Sequence, residues 1–255
     1  MNLPTPDRPL PSTEALPAQS VPEQACANCG QPATGDGRFC ARCGQLVVPP
    51  RFTPAHLLHE VFHLFTHVES GFWYTLKELA VRPGFMQRDY LAGRRGRFQK
   101  PFSAFFVACT VTALGQFALN SLVARWYGIE DSATGYFRHY FSLVQVGLLP
   151  LYALITWLLF RRQRFNYAET AVVTAYSLSL LLYATLALNL LRLIWPQLDT
   201  KYLELPLIVA YNVVTNRHLF PSTSRWVLVG KSLVICSACF ALATLVAKLG
   251  AHWVH

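Results

Sequence analysis

A chain of 255 residues that is 53% hydrophobic, 13% aromatic and only 14% charged departs from soluble averages, where about 25% of residues are charged. Its apolar residues lie in blocks, which excludes an ordinary soluble domain and indicates a multi-pass membrane protein with a small soluble head. The net charge of +9 comes from bases beside apolar runs, where they set topology and meet anionic headgroups, so nucleic acid is not the expected partner.

Residues 1–24 carry prolines at positions 4, 6, 9, 11, 17 and 22 and read as a disordered tail, a spacer or a ligand for a partner domain. No charged-then-apolar leader is visible, and the first span is expected to act as its own insertion signal.

Residues 25–48 form the head. Two Cys-x-x-Cys pairs, Cys26/Cys29 and Cys40/Cys43, flank Gly30 to Phe39. Tetrahedral zinc needs four thiolates converging from two tight turns, and each pair supplies one turn. Gly30 and Gly44 follow the second cysteine of each pair; positive φ there aims backbone N–H groups at the sulfurs. The Gly35-Asp36-Gly37 run supplies the reversal between the two arms. All four ligands are protein thiolates, so the expected zinc is structural rather than catalytic. The chain has seven cysteines, an odd number that fits a metal site on a reducing face better than a disulfide framework, with a redox pair as the alternative.

Residues 52–100 are expected to hold an amphipathic interfacial helix and a basic juxtamembrane segment. The spacing of Leu57, Leu58, Val61, Phe62, Leu64, Phe65, Val68, Phe72, Leu76 and Leu79 predicts helix over 54–80, with Thr53 as N-cap and Pro54 at its first position. Such a helix lies in the membrane interface or packs under the bundle, at a depth that suits Trp73 and Tyr74. His56, His59, His63 and His67 share another face, and His59-Glu60-Val61-Phe62-His63 matches the zinc-peptidase pattern. No third ligand follows at the six-residue spacing of the His-rich peptidases, so an interfacial histidine face is the expected role. Pro83-Gly84 then ends the helix, and Arg94, Arg95, Arg97 and Lys100 form the basic cluster expected on the cytoplasmic flank of a first span.

The paired Cys-x-x-Cys-Gly knuckles with their closing Gly-Gln, Thr75-Leu76-Lys77-Glu78-Leu79, Arg82-Pro83-Gly84, Tyr90-Leu91-Ala92-Gly93-Arg94-Arg95 and Arg97-Phe98-Gln99-Lys100-Pro101-Phe102 occur in one order. Together they resemble a bacterial family known only as domain of unknown function 3667, over residues 26 to 115. The resemblance implies a zinc-ribbon head on a helical membrane body and carries no activity with it. Phe98 stands where the family pattern implies a tyrosine, and the His59/His63 pair is not part of that pattern.

The remaining residues, 101–255, read as the transmembrane domain. Residues 101–124 carry no charge and hold a first span over about 102–124, and Arg125 to Tyr140 is expected to be a short loop. A second span covers 140–160 with Pro150 inside it, followed by Arg161, Arg162 and Arg164; a third opens at Glu169 and closes at Arg192. A weaker fourth run, 202–217, contains Glu204, and a fifth, 229–249, is bracketed by Lys231 and Lys248. Cys236 and Cys239 in the fifth are expected to be small packing residues. The expected fold is thus mainly α, an integral membrane bundle of about five transmembrane helices with a small N-terminal zinc ribbon.

No Asp, Glu, Lys or Arg falls in the middle of a span, where ion-coupled transporters usually need one. Gln116, Asn120, Gln145, Asn189 and Asn212 either line a path or bond helices together. The leading expectation is a non-enzymatic bacterial inner-membrane protein, an adaptor, sensor or assembly factor whose zinc ribbon meets a cytoplasmic protein. The alternative is a small-solute transporter or channel, and the lesser one a peptidase using His59, Glu60 and His63. Positive charge places the N-terminus in the cytoplasm and, with the fourth run spanning, the C-terminus in the periplasm.

Overall fold

The computed structural model describes residues 25–32, 38–49, 51–54, 71–128, 133–163, 165–221 and 223–254. The proline-rich tail, the Gly35–Gly37 run, the four-histidine face and the His59-Glu60-x-x-His63 motif lie outside these residues. Among the described residues the fold is helical, and the head contributes only isolated bridges, Ala25 to Pro32 and Phe39 to Leu46.

Two short helices come first, α1 (Phe72–Val81) and α2 (Phe85–Leu91). Gly71, at φ 111°, sets the start of α1, and Gly84, at φ 82°, separates the two. Gly84 is needed for space as well as for its dihedral. A Cβ there would lie 2.6 Å from the Thr215 carbonyl oxygen and 2.7 Å from the His218 Cβ, well inside van der Waals contact. Long helices follow: α3 (Pro101–Tyr127), α4 (Ala133–Phe160), α5 (Tyr167–Asn189), a 3-10 turn (Leu190–Leu193), α6 (Lys201–Leu219) and α7 (Arg225–Val254). Pro101 occupies the first helical position of α3, where its missing N–H is no loss. Asn166 and Glu169 form a reciprocal capping box at the start of α5, satisfying two of its orphan N–H groups.

Three of these helices are long and apolar enough to cross a membrane: Pro101–Tyr127, Tyr167–Leu193 and Arg225–Val246, with a shorter apolar stretch at Val144–Phe160. They display large apolar side chains outward, among them Leu114 and Phe117 on α3, Leu154 and Leu158 on α4, and Val234 and Phe240 on α7. A belt of that extent is what lipid-facing helices present and what water-facing ones avoid. The second span differs from expectation at its start, because α4 begins at Ala133, inside the segment expected as loop. The fifth also extends beyond its apolar run, from Arg225 to Val254.

Successive long helices run in alternating directions along the chain. At one end, the last turn of α4 meets the end of α6 and the start of α7: Phe160 stacks on Phe220 at 4.3 Å, and Lys231 Nζ donates to the Leu159 carbonyl at 2.8 Å. The same end holds the starts of α3 and α5. At the opposite end, Arg192 donates to Asn120 Oδ1 at 2.9 Å and Tyr127 Oη donates to the Leu193 carbonyl at 2.7 Å. Glu204 lies there too, accepting from Thr200 Oγ1 at 2.6 Å and Asn189 Nδ2 at 2.9 Å. Its carboxylate therefore sits near a helix end and is bonded, which makes α6 far cheaper to bury than a bare mid-helix glutamate.

The core gathers at the head end, where α1 and α2 wedge against the bundle and Leu79, Met86, Tyr90, Phe105 and Tyr176 are buried together. Gln99, in the extended link before α3, is buried there. Its backbone N–H donates to Thr75 Oγ1 at 2.8 Å, its carbonyl accepts from Tyr176 Oη at 2.5 Å, and its Nε2 donates to Ser103 at 3.2 Å. Tyr176→Phe strands the Gln99 carbonyl in an apolar setting and is expected to destabilise the purified protein by about 1–3 kcal/mol. Thermal unfolding of the variant in detergent measures this.

Candidate metal centre

The two Cys-x-x-Cys-Gly-Gln segments fold as near-copies. Gly30 N–H donates to the Cys26 carbonyl and Gly44 N–H to the Cys40 carbonyl, at 2.9 and 2.8 Å. Cys26 N–H then bonds the Gln31 carbonyl at 2.9 Å and Cys40 N–H the Gln45 carbonyl at 2.8 Å. Gly30 and Gly44 take φ of 71° and 70°, the left-handed turn that lets each loop close at little steric cost. The loops face each other, and the four sulfurs all lie within 4.8 Å of one another. Cys26 and Cys43 Sγ are 3.7 Å apart, Cys29 and Cys40 Sγ 3.5 Å. Thiolates about 2.3 Å from one tetrahedral ion would be about 3.8 Å apart. Cys26, Cys29, Cys40 and Cys43 could therefore hold a metal ion as they stand.

The local field is uneven. The Gln45 backbone N–H and the Asn28 side chain bring Cys43 down to about 6. Backbone N–H groups of Cys43 and Arg42 also lower Cys40. At Cys29 the Gln31 N–H lowers the pKa, but desolvation and the neighbouring thiols outweigh it and push it to about 11. Binding an ion to the four sulfurs displaces the protons that the cluster still holds.

The head is joined to the bundle by specific contacts. Gln45 Nε2 donates to the Gly93 carbonyl at 2.5 Å, and the Arg95 N–H donates to Gln45 Oε1 at 3.2 Å. From the other knuckle, Asn28 Oδ1 accepts from the Gly96 N–H at 3.3 Å. Gly93, at φ 98°, admits no side chain: a Cβ would meet Pro49 Cγ at 2.6 Å and Ala27 Cβ at 3.3 Å. Beyond Pro49 the chain straps onto α5. Arg51 makes a bidentate pair with Glu169, at 2.6 Å from Nε and 3.0 Å from Nη2, and the Phe52 carbonyl accepts from Asn166 Nδ2 at 3.0 Å. The Arg95 guanidinium lies over the Phe52 ring, 4.1 Å from its centroid, a cation–π contact.

Of the polar residues expected inside the spans, Asn120 and Asn189 bond to Arg192 and Glu204. Asn212 bonds within its own helix at 3.5 Å. The Oε1 atoms of Gln116 and Gln145 are buried without a partner. Gln145, Asn212, Cys236 and Cys239 line a cavity of about 400 Å3 among α4, α5, α6 and α7. The sequence had offered no sign of the contacts at Gln45, Arg51 and Glu169. Residue types alone do not reveal a pairing across 118 positions.

A four-cysteine head able to take a metal, clasped onto a helical body with membrane-length apolar helices, defines the class of protein. Residues 69–113 match the family model described as Protein of unknown function (DUF3667), so the chain resembles that family over α1, α2, the 93–96 turn that receives the head, and the first half of α3. No curated protein and no solved structure matches the chain.

Cys40→Ser is expected to weaken the thiolate charge-transfer bands of the cobalt-loaded full-length protein and its affinity for cobalt, and an unchanged spectrum would count against a four-thiolate site. Gln45→Ala should keep that spectrum while loosening the clasp, raising the rate of trypsin cleavage after Arg51 by about tenfold. Timed proteolysis of the two proteins measures the difference.

Proposed function

We propose that the protein is a non-enzymatic adaptor, sensor or assembly factor of the bacterial inner membrane, with a structural zinc ion in its head. Four thiolates leave no open coordination position, which favours a structural over a catalytic ion, and tetrahedral sulfur ligation is the setting zinc prefers. The observation that carries the reading is the outer face of the head. Phe39 and Val48 are 64% and 65% exposed, although the head is otherwise tied down against the bundle. Apolar side chains held outward on a head that is hydrogen-bonded to the bundle are suited to a protein partner. Crosslinking in cells, followed by recovery of the full chain and of a form lacking residues 1–50, tests this. A partner captured only by the full chain is expected, and equal recovery by both would remove the head from the interaction.

The head lies on the cytoplasmic side in this reading. Arg94, Arg95, Arg97, Arg161, Arg217 and Arg225 cluster at the head end, against Arg125, Arg192 and Lys201 at the other, the bias expected of a cytoplasmic face. With α6 as a span, the C-terminus is periplasmic. A reporter fused after His255 should be active in its periplasmic form alone; activity of a cytoplasmic reporter there would mean that α6 does not cross.

A second reading, a path for a small solute, is favoured by the cavity of about 400 Å3 among α4 to α7 and by the unpartnered Gln145 oxygen at its wall. Solute flux in reconstituted vesicles, reduced by Gln145→Leu, would support it over the adaptor.

A further inference from the structure

A second group of cations lies at the head end, away from the cysteines. α2 brings Phe85 and Arg88, the end of α6 brings Arg217 and His218, and the connection into α7 brings Thr223 and Arg225, all lining one cavity of about 380 Å3. Among the described residues no carboxylate lines it. None of the three arginines forms an ion pair with the described residues, and the acids nearest in sequence are engaged elsewhere, Glu78 with Arg82 and Asp89 with Arg94, each at 3.2 Å. The neighbouring cavity of about 500 Å3 at Arg51 and Arg95 is different in kind, because Glu169 lines it and neutralises Arg51.

The walls are held in place. His218 Nδ1 lies 2.8 Å from the Pro83 carbonyl, which can only accept, so Nδ1 carries the proton; the ring packs on Phe85 at 4.2 Å. Thr223 Oγ1 accepts from Gln163 Nε2 at 3.1 Å and keeps its own proton to donate. The first N–H groups of α7, a helix of 30 residues, add partial positive charge at the same place. Three guanidinium groups around one cavity repel one another, and an anion between them relieves that repulsion. Their forked donors match phosphate oxygens.

The surroundings indicate where such an anion comes from. Trp226, beside Arg225, is 85% exposed, and Val227, Leu233 and Val234 are exposed further along α7. An outward tryptophan at the end of an apolar helix marks headgroup depth. We propose that this cavity binds the headgroup of an anionic phospholipid, with Arg88, Arg217 and Arg225 on its phosphodiester oxygens and the acyl chains along the apolar side of α7. The proposal rests on the membrane placement of α7 and is independent of what the head binds.

Native mass spectrometry of the full-length protein in detergent tests it, with phosphatidylglycerol, phosphatidylcholine of the same chains, and inorganic phosphate as separate additions. Phosphatidylglycerol should be retained about tenfold better than phosphatidylcholine, and Arg217→Gln/Arg225→Gln should cut its affinity by about tenfold or more. Arg161→Gln/Arg162→Gln, at the same end but outside the cavity, should stay within about twofold of the parent. Equal retention of the two lipids would overturn the proposal, as would equal losses in the two double variants, which mean diffuse charge. Displacement of the lipid by millimolar phosphate would also overturn it, in favour of a soluble anion. If the Arg217/Arg225 variant does not purify as a single species, Arg88→Gln takes its place, with an expected loss of about fivefold.

Discussion

The peptide group of Gln99 is the point on which the helical layers depend. It belongs to an extended link, so no helix supplies its hydrogen bonds, and it is buried, so water does not either. A buried peptide in that position must find side chains, and it does so on two different helices: Thr75 of α1 takes the N–H and Tyr176 of α5 supplies the carbonyl's donor. The cost of leaving either group bare, about 1–3 kcal/mol, makes the three segments mutually obligatory. Pro101 follows two residues later as the first residue of α3, so the link cannot extend that helix backwards and escape the requirement. The Arg97–Phe102 motif is in this sense a joint whose geometry is enforced by unsatisfied polarity as much as by apolar packing.

From that joint the arrangement spreads outward. Tyr90 packs edge-on to Tyr176 at 5.3 Å and face-on to Phe52 at 5.9 Å, and the Arg95 guanidinium lies 4.1 Å from the Phe52 centroid and 5.6 Å from that of Tyr90. Aromatic rings therefore lead from the bundle core to the strap that carries the head. The charged pair of that strap, Arg51 with Glu169, is half in water and adds registry more than stability. Glu169 serves twice, since its Oε2 also accepts from the Asn166 N–H at 2.8 Å in the capping box. One carboxylate thus begins a membrane-length helix and anchors a segment far away in the chain.

What could be read from the residues was what depends on nearest neighbours in sequence. Cys26, Cys29, Cys40 and Cys43 were legible because ligand spacing within a knuckle is local, and the apolar helices because hydropathy is a sum over consecutive positions. The start of α4 was not, since Tyr136 to Tyr140 includes Arg138 and the charge pattern there resembles a loop. Glu169 read as the opening of a span, with nothing to show that Arg51 would meet it. Arg217 and Arg225 read as topology signals; only the fold, by bringing Phe85 and Arg88 of α2 beside them, turns them into walls of a cavity. Gly93 was visible as part of a motif, but its reason, the 2.6 Å approach of Pro49, exists only once the head is in place.

The Gln45 side chain grips the bundle while its own carbonyl closes the second knuckle through the Cys40 N–H. The two roles share one residue, so the grip is oriented by the same loop that gathers the sulfurs. Whatever opens that loop, whether a chelator or oxidation of its thiols, also turns the amide away from the Gly93–Arg95 turn. The contact of Gln45 with that turn is thus set by the fold of the knuckle itself, whereas Asn28 reaches Gly96 from the first knuckle.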